Sequence, residues 1–149
     1  MEKKLRAIIA VFLILCIAIG RICYYTLPVD LPYLEEIDEC SLVKVLPVYK
    51  GLEQDHEQKI LTKEEILELK AFLQSNQYNR KHRDAAIRMD SNTVYRITFR
   101  WSDGRYVQLR TFGNDAYGKD SLVWDSVDLR FLEAKNENWH HALEKLLIN

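Results

Sequence analysis

The chain has 149 residues, with 21 basic and 22 acidic side chains and a formal net charge of −1. This length corresponds to one domain, and the near-neutral charge excludes a general electrostatic attraction to nucleic acid. The three cysteines exclude a disulfide framework, because Cys16 and Cys23 lie in an apolar segment and only Cys40 lies outside it. No glycine-rich loop follows a predicted strand, so the sequence predicts neither a nucleotide site nor a cofactor.

An apolar segment at residues 7–25 dominates the beginning of the chain. Residues 7–20 are all apolar or Gly, and Arg21 is the one charged residue in the segment. At 1.5 Å per residue, a helix over residues 7–25 is roughly 28 Å long, close to the thickness of the hydrocarbon core of a bilayer. The segment therefore predicts a single-pass transmembrane helix that acts as a signal anchor.

The charges on either side of this segment predict its orientation. Lys3, Lys4 and Arg6 precede it, whereas an acidic cluster follows it. By the positive-inside rule, residues 1–6 are cytoplasmic and the chain after residue 25 is extracytoplasmic. The alternative is a signal peptide cleaved near Gly20, since Ala18 and Gly20 form a small-x-small cleavage pattern. In that case the protein is secreted.

Beyond this segment the sequence predicts a stalk at residues 26–41 and an α+β domain at residues 42–149. Pro28, Pro32 and the acidic cluster disfavour regular structure in the stalk. The domain is expected to contain a mostly antiparallel sheet with two amphipathic helices packed on one face. Strands are predicted at 42–49, 59–61, 93–101, 105–112, 122–124 and 127–132, and helices at 63–75 and from 139 onward.

Both helices have local sequence signals. Thr62 and Glu65 form a capping box, and Leu61 and Ile66 are placed to form a hydrophobic staple around it. The C-terminal helix, expected to be capped by Asn136 or Asn138, has apolar residues at helical spacing: Trp139, Ala142, Leu143, Leu146 and Leu147. The alternation of Val127, Leu129 and Phe131 predicts the last strand, and apolar periods predict core positions for the three tryptophans Trp101, Trp124 and Trp139.

The register of the hairpin around Gly104 follows from its apolar pattern. A two-residue loop would place Phe99 opposite a glutamine and mix core and polar side chains on one face. A three-residue loop with Gly104 in the left-handed conformation pairs Phe99 with Val107 and Ile97 with Leu109. Only this register gives a consistent apolar face, because a slip of one residue exchanges the faces.

This register predicts a basic surface on the opposite face of the hairpin. Residues 76–112 carry eight basic and three acidic side chains, and Arg96 falls directly opposite Arg110, a like-charge pair that costs stability unless something neutralises it. The neutralising group is either a carboxylate of the protein or an external anion, such as an anionic lipid, a wall polymer or an acidic protein partner. A solvated surface with no ligand is the simpler interpretation. The predicted binding residues are Arg96, Arg100, Arg110 and Tyr106, with Arg80, Lys81 and Arg83 as an extension.

No catalytic or metal motif stands out. His140 and His141 are adjacent, so they do not share a helical face as a metal-binding pair does, and we predict no metal site. A pairing of Cys40 with His56, or a pocket containing Asp125, would favour an enzyme. The sequence therefore favours a non-enzymatic, membrane-anchored binding or interaction module. The alternatives are an envelope hydrolase or transferase, and a structural subunit of a membrane complex.

Overall fold

The computed structural model describes residues 2–49, 58–81, 93–114 and 119–148. Their helices are α1 (Glu2–Thr26), a 3-10 helix (Leu34–Glu39), α2 (Lys63–Ser75) and α3 (Trp139–Ile148). Their strands are β1 (Leu42–Tyr49), β2 (Lys59–Ile60), β3 (Tyr78–Arg80), β4 (Thr93–Arg100), β5 (Tyr106–Asn114), β6 (Asp120–Asp125) and β7 (Leu129–Ala134). The sequence also predicts a loop at 51–57 and a helical turn at 85–87, and both lie outside the described residues.

The seven described strands form one antiparallel sheet in the order β2-β1-β4-β5-β6-β7-β3. One face of this sheet, the core face, packs against α2 and α3. Alternate residues of the central strands, such as Val43, Ile97 and Leu109, share a single apolar cluster with Leu69 and Leu143 from the helices. The predicted α+β class, an antiparallel sheet with helices, agrees with the structure, and the three tryptophans are buried as predicted.

The β4–β5 hairpin has the predicted register. Phe99 pairs with Val107 and Ile97 with Leu109, so the apolar side chains of both strands lie on the core face. Gly104 has φ +91°, and its amide donates to the Trp101 carbonyl at 3.2 Å. Glycine adopts this conformation without the steric cost that a side chain would bring.

The ends of α2 and α3 are stabilised in different ways. At α2, Thr62 Oγ1 accepts from the Glu65 amide at 3.3 Å and Glu65 Oε2 accepts from the Thr62 amide at 2.8 Å, which confirms the capping box. At α3, Asn138 is left-handed (φ 59°), and the carboxylate of Asp120 on β6 accepts from the His140 amide at 2.8 Å. The predicted asparagine cap of α3 is therefore replaced by an aspartate from a distant strand.

The predicted stalk at residues 26–41 is corrected by the structure, because this segment packs on the domain. Val29, Leu31 and Ile37 belong to the main core, and Ile37 is 0% exposed. The Val29 amide donates to the Tyr78 carbonyl at 2.8 Å, and the indole of Trp124 donates to the Pro32 carbonyl at 3.2 Å. The prolines restrict the backbone of this segment, yet its apolar side chains gain more by burial than a solvated stalk would allow.

The last strand is shifted from its prediction, since β7 runs from Leu129 to Ala134 rather than over 127–132. Its core-facing residues are Leu132 and Ala134, and the alternating Leu129 and Phe131 mark the opposite face. Strand β3 was not predicted, since it is only three residues long and is defined by its pairing with β7.

Helix α1 stands apart from this core. None of its residues is buried, and among the described residues it is the one helix long and apolar enough to cross a membrane, a property that a signal sequence shares. It continues directly into the domain, since the Leu27 amide donates to the Cys23 carbonyl and Pro28 bridges to Asn79 on β3.

Candidate functional site

A shallow groove of about 240 Å³ lies on the sheet face opposite the core. Strand alternation places its residues, because every second side chain of β1, β4 and β5 points away from the core. Leu42, Lys44, Leu46, Gln58, Arg96, Thr98, Arg100 and Gln108 line it. We call this set the cationic groove.

The ladder register explains how the cations of the cationic groove come together. Lys44 of β1 is paired with Thr98 of β4, and Arg96 and Arg100 lie two residues to either side of Thr98. Neighbouring strands are roughly 4.8 Å apart, and residues i and i+2 of a strand are separated by roughly 6.8 Å. Lys44 therefore lies between Arg96 and Arg100 along the sheet, and all three line the same groove.

Few negative charges oppose these cations. The described residues that line the cationic groove include no carboxylate. Among the described residues, neither Arg96 nor Arg100 forms an ion pair. Arg96 also lies directly opposite Arg110 on β5, as the sequence predicted. Two guanidinium groups at paired positions repel each other, so this surface is electrostatically unfavourable without an anion.

Asp125 neutralises part of this repulsion. Its Oδ2 atom lies 3.5 Å from Nη2 of Arg110, and both side chains are about one-third exposed (36% and 37%). The Arg110 Nε atom is buried and has no hydrogen-bond partner within the described part of the chain. A single long contact of this kind contributes little, and it leaves Arg96 unneutralised.

The structure brings together only some of the predicted binding residues. Arg96 and Arg100 line the groove, while Arg110 and Tyr106 lie beside it at positions paired with them. Arg80 and Lys81 lie at the other end of the sheet order, next to β7, so they do not extend the same patch. Arg83 lies outside the described residues.

Several groove residues were not predicted, above all Lys44. The alternation of Val43, Lys44 and Val45 gives a usable signal that Lys44 faces away from the core. The pairing of β1 with β4, which places Lys44 opposite Thr98, joins segments far apart in the chain and has no local sequence signal. Gln58 has no periodic signal at all.

The groups considered for catalysis do not form a catalytic constellation. Burial raises the pKa of the half-buried Cys40 thiol to about 12, so the thiolate that a nucleophile requires is disfavoured. Burial also lowers the pKa of His140, whose ring packs 5.8 Å from that of Tyr95. Asp125 pairs with Arg110, and neither it nor Cys40 lines the cationic groove. Within the described ranges, no group of three or more metal-ligating side chains is found, and His56 lies outside them.

No protein-family model matches the chain, and comparisons with curated proteins and with solved structures gave no match. The class that the chain itself defines is an α+β domain joined directly to an exposed apolar helix.

Proposed function

We propose that the protein is a single-pass membrane-anchored module whose extracytoplasmic domain binds an anionic ligand in the cationic groove. The observation that carries this proposal is that Lys44, Arg96 and Arg100 line one groove with no carboxylate among its described lining residues. Guanidinium groups bind phosphates and carboxylates through charge-assisted, often bidentate hydrogen bonds. The volume of about 240 Å³ suits one such group of a larger ligand, rather than a whole organic molecule.

The anchor is supported by the surface of α1. Its apolar side chains, including Ile8, Phe12 and Ile17, are more than half exposed because the domain does not cover them. An apolar surface of this size is unfavourable in water and favourable in lipid. The cluster of Lys3, Lys4 and Arg6 supports a cytoplasmic N-terminal side.

The ligand is defined by its chemistry, a phosphate or a carboxylate on an extended partner. A phosphate-bearing wall polymer and an acidic protein segment both offer these groups on the extracytoplasmic side. Both would be held mainly by charge, so binding should weaken as salt is added.

The test uses the full chain in detergent, with fluorescently labelled polyphosphate and poly-glutamate as probes and labelled neutral dextran as the control. Fluorescence anisotropy is measured from low to high NaCl concentration. We expect at least one anionic probe to bind, with an affinity that falls as salt rises. The Arg96→Gln/Arg100→Gln variant should bind roughly 10-fold more weakly, equivalent to about 1.4 kcal/mol.

The matched control is Lys63→Gln/Lys145→Gln, which removes two exposed cations from α2 and α3. It should bind within about twofold of the unmodified chain, since long-range effects of exposed charges are screened. Equal losses in the two variants, salt-independent binding, or no binding of either anionic probe would overturn the proposal. If one anionic probe binds and the other does not, the difference identifies the ligand group.

A further inference from the structure

A second basic surface lies where α1 meets the sheet. A pocket of about 390 Å³ is lined by Tyr24, Tyr25, Arg80, Lys81, Asp128, Leu129, Arg130 and Phe131. These residues come from the end of α1, from β3 and its following residue, and from the start of β7. We call this set the helix-exit pocket. It shares no residue with the cationic groove.

The position of the helix-exit pocket along α1 sets its depth, if α1 spans the membrane as proposed above. About 20 helical residues cross a hydrocarbon core of roughly 30 Å, and the headgroup layers add roughly 5–8 Å on each side. Counting 20 residues from Ala7, where the apolar segment begins, ends at Thr26, so Tyr24 lies in the last turn of the span. Tyrosines favour this boundary, where the ring is in contact with lipid and the hydroxyl with water. Groups in contact with Tyr24 therefore lie at the depth of the phospholipid phosphates.

The charge of the helix-exit pocket suits an anion. Among the described residues, three cations and one carboxylate, Asp128, line it. Asp128 is already engaged, since its Oδ2 lies 2.9 Å from Nε of Arg130. Arg80 has no ion pair with any described residue, and its guanidinium carbon lies 4.4 Å from the centroid of the Tyr24 ring. A cation–π contact uses the charge of the guanidinium rather than its N–H donors, so those donors stay available to a phosphate.

One side of this pocket, at the start of β7, is apolar. Leu129 and Phe131 line it there, and Leu129 is 48% exposed. An exposed aliphatic side chain in a cationic pocket fits the boundary between headgroups and acyl chains, where charged and apolar groups each have a favourable environment.

We propose that the helix-exit pocket binds the headgroup phosphate of an anionic phospholipid, with Arg80 as the main contact. Such a lipid would fix the tilt of the domain on the membrane surface and so set the position of the cationic groove. This proposal depends on the membrane-spanning part of the proposed function, but not on ligand binding by the groove.

The experiment is native mass spectrometry of the full chain released from detergent micelles that contain phosphatidylglycerol or phosphatidylcholine at equal mole fraction. We expect the unmodified chain to retain several-fold more phosphatidylglycerol than phosphatidylcholine. Arg80→Gln should abolish this preference, while Arg80→Lys, which keeps the charge but loses the fork of donors, should keep part of it. The groove variant Arg100→Gln is the matched control and should retain the full preference.

The proposal is wrong if the unmodified chain shows no preference, or if Arg80→Gln and Arg100→Gln lose it equally. Displacement of the lipid by millimolar inorganic phosphate would instead identify a site for free phosphate and contradict the lipid assignment. Circular dichroism melting of each variant shows whether a loss reflects unfolding. The two proposals can fail separately, because substitution of Arg100 is expected to reduce polymer binding and substitution of Arg80 is expected to reduce the lipid preference.

Discussion

Arg96 lowers the expected stability of the ligand-free sheet, while it contributes to the proposed ligand binding. It lies opposite Arg110 on the neighbouring strand, and no described carboxylate pairs with it. A like-charge pair at directly opposite positions destabilises a sheet by roughly 0.2–1 kcal/mol. A side chain in such a position is explained if it serves a ligand rather than the fold.

We therefore expect Arg96→Gln to raise the stability of the ligand-free chain by up to about 1 kcal/mol, or a few degrees in Tm at low salt. Thermal melting followed by circular dichroism measures this change. Arg100→Gln is the control, because Arg100 lies opposite the uncharged Tyr106 and its removal relieves no like-charge pair. An unchanged or lowered Tm for Arg96→Gln would show that the cross-strand repulsion is already neutralised.

The predictability of single residues depends on how near their structural partners lie in the sequence. Arg96 and Arg110 were placed correctly, because a hairpin with a left-handed glycine fixes their pairing within a few residues. Lys44 was missed and Arg80 misplaced, because the pairings of β1 with β4 and of β3 with β7 join segments far apart in the chain. Neither pairing has a local sequence signal.

At the scale of elements, the two helices of the domain differ in the same way: one is capped by residues near it in the sequence, the other by a distant residue. The capping box of α2 is encoded by Thr62 and Glu65, three residues apart, and it could be predicted. The N-terminus of α3 depends on Asp120, which is buried and comes from β6. The sequence pattern predicts Asn136 or Asn138 as the cap, but the His140 amide donates to Asp120 instead.

We expect Asp120→Ala to destabilise the domain by about 1 kcal/mol, the usual cost of removing a helix cap. The loss should be seen as a lower Tm, with α3 amides exchanging faster in hydrogen-exchange mass spectrometry than those of α2. Glu137→Ala is the matched control, since Glu137 is an exposed carboxylate in the turn before α3. If both variants melt at the same temperature as the unmodified chain, Asp120 does not stabilise α3.

At the scale of the whole molecule, the sequence predicted the apolar helix, the α+β class and the hairpin, but not the path between helix and domain. The sequence predicts a stalk at residues 26–41, because prolines and acidic side chains are common in such segments. In the structure, Arg105 lies 2.8 Å from Glu36 and Lys70 lies 2.6 Å from Asp38, so the acidic side chains pair with the domain while Ile37 enters the core. The domain therefore begins directly after α1.

This direct connection has a mechanical consequence for the proposed anchor. A domain on a flexible stalk would sample all orientations above a membrane. Here Tyr24 contacts Arg80, and the Leu27 and Val29 amides continue the hydrogen bonding from α1 to β3. The orientation of the domain is thus coupled to that of α1. We therefore expect the cationic groove and the helix-exit pocket to hold fixed positions relative to the lipid.

The central claim, an uncleaved anchor with its domain outside, is tested most directly by labelling intact cells with a membrane-impermeant maleimide. The full chain, with its three native cysteines replaced by alanine, carries one new cysteine from either Lys145→Cys or Lys4→Cys. We predict that the Lys145→Cys chain is labelled in intact cells, that the Lys4→Cys chain is labelled only after permeabilisation, and that the intact mass includes residues 1–20. Labelling of the Lys4→Cys chain but not the Lys145→Cys chain in intact cells, or a mass that lacks residues 1–20, would contradict the account.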